Sequence, residues 1–267
     1  GNLRDFVLGA RILDGKGQDL SFGGKVMKNV AGYDVSRLLP GSMGTLSLLL
    51  EASVKVLPRP AATISLRCNI TQARALQLLN EWAGQPLPLS ASCWIGSSKG
   101  GDGELTIRLA GAVAAVKTAI PLMGAAVNAR ELDPKVATEF WATLREQQLP
   151  VFSKLSSDET LYRLALPAAC GPLTLENTSG EIALEWHGQQ RWIKAPGDDA
   201  TFEAMKKVAS ANGGHATRFK QGANVDSNKQ RFTLLSEQAH STALEAVQAR
   251  LRAAFDPAGV FATSRLP

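Results

Sequence analysis

Three cysteines and three histidines are all that 267 residues contain, and neither set is spaced for chemistry. Cys68, Cys93 and Cys170 are odd in number, widely separated and set in apolar runs. That argues against a disulfide framework or a zinc site and for buried free thiols. His187, His215 and His240 form no His-x-His or His-x-x-x-His pair, so no metal site is legible. No Ser-His-Asp or Cys-His arrangement can be argued either. Long apolar runs are also missing: residues 46–50 and 109–116 fall well short of the roughly 20 residues needed to cross a bilayer. Gly1 and Asn2 lead directly into Leu3, Arg4 and Asp5 without the parts of a secretory signal, so the expected location is the cytoplasm. Basic residues outnumber acidic ones, 29 to 24, but lie singly or in pairs such as Lys206 and Lys207. Without a basic cluster interleaved with aromatics, a solvated surface is expected rather than one for nucleic acid or acidic lipid.

What is present is core-forming material: 45% of the residues are hydrophobic, enough for one large or two moderate folded units. The first sixty residues are rich in glycine and end at Leu57-Pro58-Arg59-Pro60, where a boundary is expected. Residues 6–13 and 16–23 read as two strands around Asp14-Gly15, a turn whose glycine tolerates positive φ. Asp34 is placed to cap a short helix through Leu39, and residues 45–56 suggest a long buried strand.

After Pro60 strands and amphipathic helices alternate. Residues 63–70 predict a strand, Thr71 an N-cap, and Ala75, Leu76, Leu79, Trp82 and Ala83 one helical face that stops at Gly84. Strands over 89–95 and 104–109, a helix burying Val113, Val116, Ile120 and Met123, and a strand over 126–131 complete βαββαβ, the ferredoxin-like order. Asp133-Pro134 starts a further helix with Val136, Phe140, Trp141 and Leu144 as its stripe. Strands over 161–166, 181–186 and 190–195, the last two joined at Gly188, precede a helix over 201–211 capped by Asp198 or Asp199 and a strand over 215–219. This arrangement suggests a diverged second copy of the same unit, without a residue-level repeat. A polar loop over 222–229 and a helix over 241–254 follow. The fold class is α+β.

The most informative stretch runs Gly23-Gly24-Lys25-Val26-Met27-Lys28-Asn29-Val30-Ala31-Gly32-Tyr33-Asp34 and then Gly41-Ser42-Met43-Gly44-Thr45-Leu46. Paired glycines before a buried strand let a ligand approach main-chain N–H and C=O groups; taken alone they fit an ordinary tight turn better. Lys-Asn-Val-Ala-Gly-Tyr-Asp followed by Leu-Leu-Pro-Gly-Ser-Met-Gly-Thr-Leu resembles the second half of the FAD domain in the vanillyl-alcohol-oxidase superfamily, also described as PCMH-type. Within it the chain is most similar to the glycolate oxidase FAD-binding subunit. Leu3 to Gly9, Val54 to Pro58 and Phe255-Asp256-Pro257-Ala258-Gly259-Val260-Phe261 add to the resemblance.

The resemblance implies the C-terminal half of a PCMH-type FAD-binding domain over 1–60, an antiparallel-sheet cap domain over 61–254 with ferredoxin-like units, and a tail over 255–267 returning toward the FAD domain. It implies FAD as cofactor, lying along Gly41, Ser42, Met43, Gly44, Thr45, Leu46 and Leu48, with Gly9 near it. It implies glycolate oxidation to glyoxylate in a complex with a catalytic flavoprotein subunit and an iron–sulfur subunit, the latter carrying electrons to a membrane acceptor. The cytoplasmic chain would then reach the inner membrane face only through these partners. The family's glycine-rich pyrophosphate loop precedes the Leu-Arg-Asp-Phe string, and the chain starts two residues before that string. The 267 residues alone are therefore expected to hold FAD weakly or not at all, because such amides are the main electrostatic anchor of a pyrophosphate. The family's closing Asn-Pro-Gly is replaced by Ala262, Thr263 and Ser264. The related catalytic subunit uses a histidine cluster, which this sequence lacks, so no catalytic residue is assigned. Tyr33 with Asp34, and Lys28, fit structural or solvent roles better than acid/base or phosphate roles. A non-catalytic flavin-fold scaffold is the alternative.

Overall fold

The computed structural model describes residues 2–24, 34–173, 175, 177–225 and 242–261. The chain divides into two units, Gly1–Pro58 with Phe232–Pro267, and Arg59–Arg231.

In the first unit, β1 (Val7–Leu13) is the middle of a three-stranded antiparallel sheet between β2 (Asp19–Gly23) and β3 (Leu48–Val54). The turn between β1 and β2 is organised by the buried Asp14 carboxylate, which accepts from the amides of Lys16 (2.9 Å) and Gln18 (2.8 Å). Positive φ falls at Gly17 (+76°), not at Gly15 as the dipeptide predicts. Gly15 is glycine for room: a Cβ there would stand 2.2 Å from Asp256 Oδ1. Its amide donates to Phe255 O (2.9 Å), and the Phe22 and Phe255 rings lie 6.3 Å apart. These contacts tie the final helix, Thr242–Phe255, into the first unit, whereas the sequence reading assigns residues up to 254 to the second. Asp256 then folds the tail back, accepting from the amides of Val260 (2.8 Å) and Phe261 (2.7 Å).

Two further expectations are corrected here. The run over 45–56 is not a long buried strand: β3 is shorter, bulged against β1, and Leu48, Leu49 and Leu50 are 52%, 53% and 46% exposed. An apolar run records a preference for burial, but among the described residues β3 pairs with β1 alone. Asp34 does not cap a helix through its side chain; the element is a 3-10 turn, Val35–Leu38, and the carboxylate instead meets Arg37 Nε (2.9 Å) and Ser36 Oγ (3.1 Å).

The second unit contains β4 (Ala62–Thr71), α1 (Gln72–Ala83), β5 (Leu89–Ser97), β6 (Asp102–Gly111), α2 (Val113–Ala125), β7 (Arg130–Glu131), α3 (Pro134–Arg145), α4 (Pro150–Ser153), β8 (Glu159–Ala165), β9 (Ser179–Glu185), β10 (Gln190–Pro196), α5 (Asp199–Ala211) and β11 (His215–Gln221). The strands form one antiparallel sheet ordered β11-β8-β10-β9-β5-β6-β4-β7. The order β5-β6-β4-β7 is ferredoxin-like, as expected from βαββαβ. The order β11-β8-β10-β9 repeats it in mirror sequence, so each half reads second, third, first, fourth from the shared seam. The halves join at their second strands, with Cys93 opposite Glu185 and Trp94 opposite Leu184. A diverged second copy is thus present in topology, but the first crossover of that copy, between β8 and β9, carries no helix among its described residues.

One sheet face is covered by α1, α2 and α5, with Leu79, Trp94, Leu109, Tyr162, Leu164 and Phe202 in its core. The other lies under α3 and α4, with Cys93, Leu144, Phe152, Leu161 and Trp192 packed together. Fully burying such a side chain contributes about 1.5–3 kcal/mol. Thr71 caps α1 by accepting from Arg74 N, as expected, but Leu78 rather than Ala83 is buried, and Val113 is exposed while Ala119 faces inward. The strand expected over 126–131 shrinks to the two residues of β7.

Candidate functional site

The turn before β3 is built from backbone geometry that glycine makes accessible. Gly41 and Gly44 adopt φ of +90° and +79°, and Met43 between them adopts +54°, a left-handed conformation costing a residue with a Cβ on the order of 1 kcal/mol. Ser42 N donates to Leu39 O (3.0 Å), while Thr45 donates twice to Ser42 O, from its amide (3.0 Å) and its hydroxyl (2.7 Å). Those bonds fix the turn. The amides of Met43, Gly44, Leu46 and Ser47 make no hydrogen bond among the described residues. The stretch is therefore no ordinary hairpin, in which the amides would be spent on a partner strand. Thr45, Leu46 and Ser47 are buried, whereas Gly41 and Gly44 are exposed, with open space where a Cβ would stand. A run of unspent amides beside bare glycines can donate to phosphate or carbonyl oxygens.

The other expected positions are less concentrated. Leu48 opens β3, paired with Leu13 and half-exposed. Gly9 is buried farther along β1, opposite Gly23 and Ser53, so it lies about four residues, or roughly 13 Å, from the Leu13 end. A Cβ on Gly9 would meet Gly24 O at 2.7 Å, so the β1–β2 approach itself requires glycine there. Lys28 and Tyr33 lie outside the described residues, as do Ala262, Thr263, Ser264 and His240. Ser47 was not singled out by the sequence; its open amide follows only from the turn geometry.

Elsewhere the reactive inventory is quiet. Burial pushes the Cys68 thiol up to about 11 and Cys93 well above its ordinary value, which keeps both protonated at neutral pH. His187 is half-buried and burial lowers its pKa, so it is neutral. It follows Trp186 at the β9–β10 hairpin, both with left-handed φ, and Trp186 is 59% exposed. Among the described residues no group of three His, Cys, Asp or Glu side chains could hold a metal ion, and no helix is long and apolar enough to cross a membrane.

No family model matches the chain. Glycolate oxidase subunit GlcE of Escherichia coli (strain K12) is 42% identical over 266 residues, a match taking in 100% of the chain and 66% of that relative. Glycolate oxidase subunit GlcD of Bacillus subtilis (strain 168) is 47% identical over 60 residues, 22% of the chain and 13% of the relative. The chain thus spans just under two thirds of the first and a small part of the second. Among solved structures, xylooligosaccharide oxidase from Myceliophthora thermophila C1, in complex with xylobiose, superposes with a TM-score of 0.56 over 96% of the chain and 65% of its own, at 15% identity. That likeness concerns the fold alone.

Proposed function

Because this chain belongs to the family of glycolate oxidase subunit GlcE and has the fold of PCMH-type FAD-binding proteins, we propose that it serves as the FAD-binding subunit of a multi-subunit 2-hydroxy-acid oxidoreductase that oxidises glycolate to glyoxylate. The observation carrying this reading is the 42% identity sustained through all of the chain. Its partners are a catalytic flavoprotein subunit and an iron–sulfur subunit, and through them it works at the inner face of a membrane.

The residues present fit a dinucleotide. The unspent amides of Met43, Gly44, Leu46 and Ser47 would donate to its phosphate or carbonyl oxygens, and the bare Gly41 and Gly44 would let it approach. Thr45, bound twice to Ser42 O, holds the turn in shape, Leu46 anchors it below, and Leu48 begins the strand beside it. Gly9 keeps β1 and β2 close enough for the sheet that carries the turn. Bound FAD would supply a two-electron acceptor able to pass electrons on singly. The chain's own part is binding and orientation.

Replacing Gly44 by Ala in the full-length protein, purified in its complex, tests this. The flavin held by this subunit, counted as absorbance of the complex in excess of the catalytic subunit's own flavin, should fall roughly tenfold, as should glycolate-dependent dye reduction, while the subunits still co-purify. Unchanged flavin stoichiometry would remove the turn from the site. A wild-type subunit that assembles without any flavin would favour the scaffold reading.

A further inference from the structure

Four arginines in the strands of the eight-stranded sheet are partnered. Arg67 meets Glu104 at 3.0 Å and lies over the Phe140 ring at 4.7 Å. Arg108 Nε donates to Ser90 Oγ (3.0 Å) beneath Trp141. Arg191 donates to three main-chain carbonyls, and Arg218 meets Asp199 at 2.8 Å and lies over Phe202. Arg163, in the middle of β8, has none of these. Among the described residues no carboxylate, carbonyl, hydroxyl or ring engages its guanidinium, and its Nε is shut off from solvent without a hydrogen bond.

Its surroundings do not neutralise it, and at Nε they do not replace water. Arg163 stands opposite Trp192 on β10 and Thr217 on β11, both buried. The Thr217 hydroxyl is spent on Arg163 O (3.3 Å), and the Trp192 indole on Glu185. The amides of the flanking strands belong to the ladder. Burial lowers the pKa of Arg163, with no nearby acid opposing it, yet an arginine stays charged in a protein. A half-buried cation with no acid partner and a buried Nε left without a hydrogen bond opposes folding.

We infer that Arg163 is the anchor of an anion site on this sheet face, taking the carboxylate of a small organic acid. Its planar fork matches a carboxylate through two parallel N–H bonds. A phosphate dianion gathers several donors, and here the Thr217 hydroxyl and the Trp192 indole beside Arg163 are already committed. On the proposed function, one suitable acid is a 2-hydroxy monocarboxylate such as glycolate; the site itself does not depend on that reading.

Thermal unfolding of the full chain at constant ionic strength tests the inference, with glycolate, acetate, inorganic phosphate or chloride added. Glycolate and acetate at tenfold over Kd should raise the wild-type midpoint by about 3 °C, and phosphate and chloride should not. Arg163→Met should unfold at a higher temperature than wild type without ligand, because an uncompensated charge is gone, and should lose the carboxylate response. Arg163→Gln should lose the response too, and serves if the methionine variant fails to fold. A lowered midpoint in both variants, a response that survives them, or equal stabilisation by phosphate would each overturn the inference. Equal responses to glycolate and acetate uphold the site while withdrawing its support for a hydroxy-acid ligand; the flavin measurement stands apart from all of these.

Discussion

The two halves of the eight-stranded sheet share a strand order and differ in how each first crossover is built. In the first half, α1 carries the chain from β4 to β5, and a helix satisfies its own main chain while burying Ala75, Leu76, Leu78, Leu79 and Trp82. In the second half the described part of the crossover between β8 and β9 is irregular, with one turn closed by Cys170 N donating to Pro167 O (3.0 Å), so its other carbonyls need donors from elsewhere. Asn80 of α1 reaches across to Ala168 O (2.7 Å), and the Arg191 guanidinium, 2% exposed, donates to Gly171 O (2.7 Å), Cys170 O (2.5 Å) and Gly188 O (3.1 Å). Losing a helix thus moves the hydrogen-bonding burden onto buried polar side chains. It also explains a buried arginine with no acid partner: three carbonyl dipoles stand in for one.

The largest effect should come from breaking that substitution. Arg191→Met keeps length and apolar volume but strips donors from three carbonyls, and should cost about 3 kcal/mol. Arg191→Lys should recover little, since an ammonium cannot reproduce the fork. Tryptophan fluorescence during urea unfolding can measure both, because Trp82, Trp94, Trp141, Trp186 and Trp192 all lie in the second unit. A midpoint within error of wild type would show that the segment holds itself. Asn80→Ala should cost less, about 1–2 kcal/mol, because Nδ2 also donates to Leu76 O (2.9 Å) and only one foreign carbonyl is released. A loss as large as that of Arg191→Met would mean that the crossover hangs from α1 rather than from β10.

The same contrast explains what could be read in the sequence. The first half was legible as βαββαβ because Thr71, Gly84 and the 3.6-residue stripe announce α1. The second was legible only as strands and one helix, since an irregular crossover has no period and its supports, Asn80 and Arg191, look like ordinary polar residues. In the first unit Gly41 and Gly44 signalled the turn before β3, but the left-handed φ of Met43 and the open amide of Ser47 depend on hydrogen bonds that composition does not encode. Leu48 to Leu50 read as buried because hydrophobicity carries no information about how many neighbours a strand has. Arg163 was invisible for a related reason. A lone charge in an alternating strand reads as a solvent-facing residue, and only the empty partner list distinguishes it from Arg67 or Arg218.

The smallest expected effect separates the halves by pH. α1 is capped by the neutral Thr71, α5 by the Asp198 carboxylate, which accepts from Thr201 N (2.7 Å) and Thr201 Oγ1 (2.9 Å). Chiefly the Thr201 amide holds the Asp198 carboxyl below its usual value, so the folded state releases this proton more readily than the unfolded one. The stability contributed by the cap is therefore complete above the ordinary carboxylate range and is lost as pH falls through the depressed folded value. Thr71→Ala and Asp198→Ala should each cost about 1 kcal/mol near neutral pH. In acid the cost of Asp198→Ala should shrink toward zero while that of Thr71→Ala persists, and Asp198→Asn should keep a cap without the pH dependence. Urea midpoints for the three variants across the acid range provide the comparison. If both alanine substitutions faded together on acidification, the ionised Asp198 would not be what holds the start of α5.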